Sequence, residues 1–318
     1  MEEDLGMVLH IMDTSNYIYA GNAKSSVIVR GVRETNGAYE ENAAPIGGVE
    51  FLIKRCADLH KLDNVVMPVF DSLPTIKREM FEEAFGNIGG YKGTRTYDSK
   101  RENSHISRDY ARKVLEDIGY PVQYAEGYEA DDLIYSLVEY YKNDFDHIYV
   151  HTRDSDMTFL VGDNVSIATV GNLGKNIDLR NYEAMAKKND FTPYNTVHIR
   201  KVLTGDTADN IPGVGEQWGP ALDAVIGPEN LRKLGDLELC RSYIKQAVVN
   251  NPSIPNAHSV LRTFNIICPL LVPFELINDS EMEVDEAKQA YYLNGWDPKM
   301  DRWNLEMMLA EYIDDYYG

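Results

Sequence analysis

Cysteine is scarce: Cys56, Cys240 and Cys268 are the only three in 318 residues, widely spaced and without a CxxC pair. That excludes a disulfide framework or a cysteine zinc cluster and fits buried or idle thiols in a reducing compartment, the cytoplasm by default. Long apolar runs are missing as well. None approaches the roughly 20 residues of a membrane span, and the acidic start MEEDLG lacks the basic region of a signal peptide. No repeat or low-complexity tract stands out, and the seven histidines show no ligand spacing. His151, at a predicted strand end, reads as a packing residue. Positive charge is short too, with 31 Lys and Arg against 51 Asp and Glu and a net charge of −20. A polyanionic partner is disfavoured at first sight, because phosphate binding calls for a basic surface. Hydrophobic content of 44% still leaves ample material for a globular core.

The excess acid is not spread evenly. Between Lys77 and Lys113 nine Lys and Arg face six acids, a local balance of +3, whereas from Glu275 onward twelve acids face three basic residues. The rest of the acid gathers in short clusters. GYEADDL carries Glu129, Asp131 and Asp132 where an apolar-periodic helix begins. One or two acids there are explained by capping and by the helix dipole; the third is not. Asp154 and Asp156 follow the strand-like HIYVHT, GDTADN carries Asp206 and Asp209, and the apolar runs MVLHIM and VVMPVF each end in one acid, Asp13 and Asp71. Nine acids at strand ends and helix starts repel one another unless a cation sits among them. Hard divalent ions with oxygen ligands, Mg²⁺ or Mn²⁺, are the natural candidates.

Strands are predicted at MVLHIM, VVMPVF (weakened by Pro68), HIYVHT and NVSIATV, and helices over Val49–Leu62 and Ile106–Ile118. The segment TSNYIYAGNAKSSVIVRGV has no clean period, and ETNGAYEENAAP reads as a loop. The stretch from Ser72 to Ser104 mixes basic, aromatic and glycine residues without a core stripe, the mark of a functional or mobile segment. Alternating strands and helices predict an α/β fold with a mainly parallel sheet, and in such sheets the ligand site lies beyond the carboxyl ends of the strands. Farther on, the glycines and prolines of IPGVGEQWGPAL lie between two helical patterns, a turn whose amides suit phosphate.

These pieces resemble, in order, those of the 5′-nuclease superfamily of flap endonucleases, phage 5′-exonucleases including the ribonuclease H type, and the nuclease domain of bacterial DNA polymerase I. The resemblance rests on Asp13, Asp71, YKGTR (91–95), YEADDL (128–133), TRDSDMTFLV (152–161) and GDTADNIPGVG (205–215), and spans roughly residues 8 to 222. It implies a nuclease core over 1–181 with a basic helical arch at about 74–105, a helical helix–three-turn–helix subdomain over 182–265, and a segment, 266–318, returning to the core. It further implies a divalent-metal-dependent 5′→3′ exonuclease or 5′-flap endonuclease for DNA and RNA–DNA hybrids, acting in replication as a monomer. Length favours a stand-alone, phage-like enzyme, in the host cytoplasm if phage-encoded.

By the same resemblance Asp13, Asp71, Glu129, Asp131, Asp154 and Asp156 hold or orient one of two ions. Asp206 and Asp209 complete the second site, with Asp132 close by. Lys92 and Arg95 act on phosphates, Tyr91 stacks on a base, and Gly213, Val214 and Gly215 meet the duplex backbone with the help of K⁺. The turn departs from the family's usual PGVxGIGPKTA: it is one residue longer and carries Trp218. The tail LEMMLAEYIDDYYG is read as a terminal helix, with a replication clamp or single-strand binding protein as a possible partner. Rival readings are a catalytically silent DNA-binding paralogue and a PIN-like ribonuclease, which should lack the GDTADNIPG module.

Overall fold

The computed structural model describes residues 7–22, 28–35, 38–45, 47–62, 64–86, 88–93, 99–170, 177–180, 197–227 and 236–294. Its centre is a five-stranded sheet in the order β4-β1-β5-β6-β7. Strands β1 (Val8–Asp13), β4 (Val65–Val69), β5 (His147–His151) and β6 (Val165–Val170) run parallel, and β7 (Ile177–Arg180) closes the edge antiparallel to β6. β1 is covered on both faces, which is why VLHIM is almost unbroken apolar sequence. Leu9 and Ile11 join Met67 and Val69 against α5 (Ala130–Tyr141). On the other face Met12, Val66 and Phe70 meet Leu52, Ile53 and Cys56 of α2 (Gly47–His60) and Leu115 and Ile118 of α4 (Ser99–Ile118). The chain leaves β1 for β4 on one side and returns to β5 on the other, so β1 is a topological switch point. Pro68 is tolerated because β4 is an edge strand, and residue 123 covers that edge: the Phe70 amide donates to Gln123 O and the Gln123 amide to Pro68 O.

Four local expectations differ. TSNYIYAGN forms α1 (Thr14–Asn22), with Tyr17 and Ile18 buried; its apolar face is only one turn wide, too short to show a period. The expected loop is half of a hairpin, β2 (Ile28–Thr35) paired antiparallel with β3 (Ala38–Pro45). Its sequence signal was the Asn-Gly pair at 36–37. Inside the supposedly patternless arch segment, α3 (Thr75–Phe85) buries Lys77 and Phe81, and α4 begins at Ser99. Strand β7 had no prediction.

The helical part comprises α6 (Val197–Thr204), a two-residue pairing of β8 (Gly205–Asp206) with β9 (Ile211–Pro212), then α7 (Gly219–Ile226), α8 (Leu237–Asn250) and α9 (Ala257–Ile267). Val202, Trp218, Leu222, Ile244 and Phe264 continue the apolar layer begun by α5. Residues 268–278 then run back along the core. The Val272 amide donates to Ser136 Oγ at 2.8 Å, and Asn278 exchanges two hydrogen bonds with the Gln123 side chain, at 3.0 and 2.7 Å. The last described helix, α10 (Glu286–Asn294), packs on α2 and α4. All three cysteines are free and buried. Among the described residues no helix is long and apolar enough to cross a membrane. The tail at 305–318 lies outside the described residues.

Candidate active site

The strand ends meet as the topology requires. Asp13 closes β1 and is 5% exposed. Its Oδ2 accepts from Thr152 Oγ1 at 2.8 Å, just past β5, and from Asn16 Nδ2 on α1. Asp71, two residues past β4, accepts from Ser15 Oγ at 2.8 Å and from the Ala130 amide at 2.9 Å, so it fastens the start of α5 to the end of β4. Thr152 also takes the Asp154 amide at 3.1 Å, and Asp154 caps the short 3₁₀ turn Ser155–Leu160 through the Asp156 amide at 2.8 Å. Asp131 lies in the first turn of α5.

Among the described residues no salt bridge reaches Asp13, Asp71, Asp131 or Asp154. Burial pushes the Asp13 carboxyl up to about 7, and the neighbouring Asp71 and Asp154 charges push the same way. Asp131 is raised well above the carboxylate range by burial, then by Asp154 and Asp13. Two buried acids that resist ionising, facing two more acids, form a site of unmet negative charge.

The remaining acids are held by lysines. Glu129 caps α5 reciprocally with Asp132. Glu129 Oε2 accepts from Tyr91 at 2.8 Å and lies 3.4 Å from Lys77, while Oε1 takes Lys92. Burial alone would raise its pKa, but Lys77 and Lys92 bring it down to about 2. Asp132, fully buried, accepts the Glu129 amide at 2.9 Å on one oxygen. Its other oxygen takes Lys77 at 2.9 Å and the Leu270 amide at 2.7 Å. The expected place of Asp132 beside an ion does not fit this geometry, since both oxygens are spent on the fold. Lys201 of α6 bridges Asp156 and Asp206. Burial keeps the Asp156 pKa raised despite that contact, whereas at Asp206 the lysine, with the Ala208 and Asp209 amides, outweighs burial and lowers it. Asp209 accepts from Tyr91 at 3.4 Å, and its carbonyl takes the Lys92 amide at 3.0 Å.

The base of the basic segment is therefore clamped to GDTADN. Asn210 Nδ2 adds bonds to Ile88 O and Gly90 O, and Lys92 sits at φ +57°, a left-handed turn. Tyr91 is 5% exposed and packs against Phe81, so its ring offers no face to a base in this conformation. Arg95 lies outside the described residues. His151 is buried as expected, meeting the Tyr17 hydroxyl at 2.9 Å and His10 at 2.8 Å.

In the glycine turn, a Cβ on Gly213 would stand 2.3 Å from Leu203 O, so only glycine lets the turn pass α6. The Val214 and Gly215 amides, expected to face phosphate, instead donate to Val202 O and Leu203 O at 2.9 and 3.0 Å. Gly213 itself is exposed. The Val214 carbonyl accepts from Gln217 at 3.0 Å and Asn256 at 3.2 Å. Trp218, the odd residue of the motif, is fully buried and donates to Pro255 O at 2.7 Å, tying the turn to the start of α9.

Sequence reasoning missed Lys77, Lys201, Thr152, Asn16 and Ser15. Thr152 and Ser15 lie within two residues of named acids, and hydroxyls at strand ends are natural partners for carboxylates. Lys77 and Lys201 carried no local signal, each standing beside an arginine on a helix like any solvated basic residue. Among the described residues no three acidic, imidazole or thiol groups already stand round one point as an ion's ligands would. A divalent ion fits on donor chemistry instead: Asp13, Asp71, Asp131 and Asp154 offer only hard oxygens and are salt-bridged to no described lysine or arginine, Lys77 acting on Asp131 only from a distance.

The family described as 5′-3′ exonuclease, N-terminal resolvase-like domain, matches residues 8–190. A DNA polymerase I of Caldicellulosiruptor bescii is 37% identical over 115 residues, 36% of this chain and 13% of the polymerase. A 5′-3′ exonuclease of Buchnera aphidicola is 33% identical over 102 residues, 32% of this chain and 34% of its own. The chain thus spans a small part of these relatives. A bacteriophage T5 protein co-crystallised with metal ions superposes with a TM-score of 0.52 at 17% identity, covering 97% of this chain and 98% of that one. At that identity the likeness speaks for the fold.

Proposed function

The chain belongs to the 5′-3′ exonuclease family, and from that membership we propose that it is a divalent-metal-dependent 5′→3′ exonuclease and 5′-flap endonuclease. Its substrates would be DNA with a 5′ end, flap or junction, and RNA–DNA hybrids. One observation carries the reading: Asp13, Asp71, Asp131 and Asp154 come from four separate segments to one crest, with no lysine or arginine salt-bridged to them among the described residues. Mg²⁺ or Mn²⁺, when bound, supplies a water of lowered pKa and charge stabilisation for the leaving oxygen. In this reading those four acids hold the tighter ion and Asp206 and Asp209 the weaker one. Asp156, which the resemblance placed with the first group, joins the second because it shares Lys201 with Asp206, while Glu129, held by Lys77 and Lys92, and Asp132 hold neither.

The chain's own groups orient the crest. Thr152 and Asn16 aim Asp13, Ser15 aims Asp71, and Glu129 holds Lys92 and Tyr91 beside the acids. Lys92 thereby stands ready to stabilise charge on a scissile phosphate. Arg95 keeps its proposed phosphate contact, and Gly213 its contact with duplex backbone. The division into core (1–181), helical subdomain (182–265) and returning segment (266–318) belongs to the same proposal. So does action as a monomer, alongside a replication clamp or single-strand binding protein.

The test is a labelled 5′-flap duplex incubated with protein and Mg²⁺, Mn²⁺ or EDTA. Metal-dependent cleavage leaving a 5′-phosphate is expected. Cutting that survives chelation sinks the metal mechanism, and tight binding without cutting in Mn²⁺ marks a catalytically silent paralogue instead.

A further inference from the structure

Lys201 lies near the end of α6, five residues before Asp206, and its ammonium bridges one oxygen of Asp156 and one of Asp206. The two acids come from different segments, the 3₁₀ turn after β5 and the β8 strand. No other described cation is salt-bridged to either. Those oxygens are the ones a second divalent ion would use, so ammonium and ion compete for the same place.

Lys77 shows what a permanent counter-ion looks like in this fold. It is 4% exposed, locked between Glu129 and Asp132 beneath the crest. Lys201 is built otherwise: its side chain keeps 24% of its exposure, and a four-carbon stem lets it swing to water when its acids are claimed. Among the described residues Asp13, Asp71, Asp131 and Asp154 have no such tethered rival.

We propose that Lys201 is a built-in competitor for the second divalent ion: it neutralises Asp156 and Asp206 while the ion is away, and by having to be displaced it weakens that ion's affinity and makes it load last. The inference rests on the metal reading above, adding the residue that sets the order and concentration of loading.

Mn²⁺ titration of the full chain, followed by electron paramagnetic resonance and calorimetry, tests it on wild type, Lys201→Met and Lys201→Arg. Wild type is expected to take up a tighter and a weaker ion. Lys201→Met should tighten the weaker one by about tenfold or more, the scale on which one adjacent charge shifts a carboxylate equilibrium, and leave the tighter one unchanged. Lys201→Arg, which keeps the charge, should hold the wild-type pattern. Melting in EDTA gives a second measurement: Lys201→Met should melt lower than wild type in EDTA and gain more from added Mn²⁺. Should Lys201→Met leave the weaker affinity unchanged or reduce it, the competitor role is overturned. A wild type that takes up no Mn²⁺ would instead defeat the metal reading of the whole crest.

Discussion

Around Glu129, Asp132, Asp156 and Asp206 every carboxylate touches an ammonium, whereas Asp13, Asp71, Asp131 and Asp154 meet hydroxyl, amide or backbone donors at most. The residue types are the same and the segments interleave, since Asp131 stands between Glu129 and Asp132. On the lysine side the charges are balanced within the chain, and Glu129 is held ionised well below its usual range. On the other side repulsion and burial raise Asp13 and Asp131, so folding alone leaves that half strained. The difference teaches that an acidic site need not be stabilised evenly: the protein's own lysines balance one half and leave the other with its repulsion.

The comparison breaks most visibly at Asp131. Asp131→Asn should slow flap cleavage by about 10²–10³-fold, the scale of losing one group that supports transition-state charge stabilisation, here by holding the ion. It should also raise the melting temperature in EDTA, because a repelling buried charge is removed. A variant that loses activity and stability together would show that Asp131 supports the fold as Asp132 does. On the lysine side Lys77→Met should cost about 3–5 kcal/mol in denaturant melts, the usual result of leaving a buried charge without its partner. Lys77→Arg should recover much of that, and a loss below about 1 kcal/mol would deny Lys77 its role as fixed counter-ion.

The smallest effect is in pH. A carboxyl whose pKa is higher folded than unfolded binds more protons in the native state, so stability falls as pH rises from the unfolded value of 3.8 to about 7 for Asp13. Glu129 has the opposite sign, its contribution fading only as pH falls from 4.5 to about 2. In EDTA the chain should therefore melt lower at about pH 8 than at about pH 5, by a few degrees, and Mg²⁺ should flatten that slope. Melting curves that rise with pH in EDTA would contradict the strained half.

Much of this arrangement could be read from the chain. Strand-end acids such as Asp13 and Asp71 announce themselves, because a short apolar run ending in a carboxylate leaves few alternatives, and the parallel topology then gathers them. What stayed hidden depends on partners far apart in sequence. Nothing near Lys77 or Lys201 sets it apart from a solvated helical lysine; burial and the facing acids do. Trp218 was legible as an oddity but not as an anchor, since its partner, Pro255, lies 37 residues on. Asn36-Gly37 was the reverse case, a clear hairpin signal passed over because the flanking residues alternate poorly.

The bond from the Leu270 amide to Asp132 spans 138 positions and fixes the acid that caps the helix start at Glu129. Residue 270 must therefore have been synthesised before that corner can set. Until then Asp132 lacks one of its buried donors, and the tether between Glu129 and the YKGTR turn rests on an unfinished support. A chain clipped before residue 270 would keep Glu129 and Asp132 without that shared support.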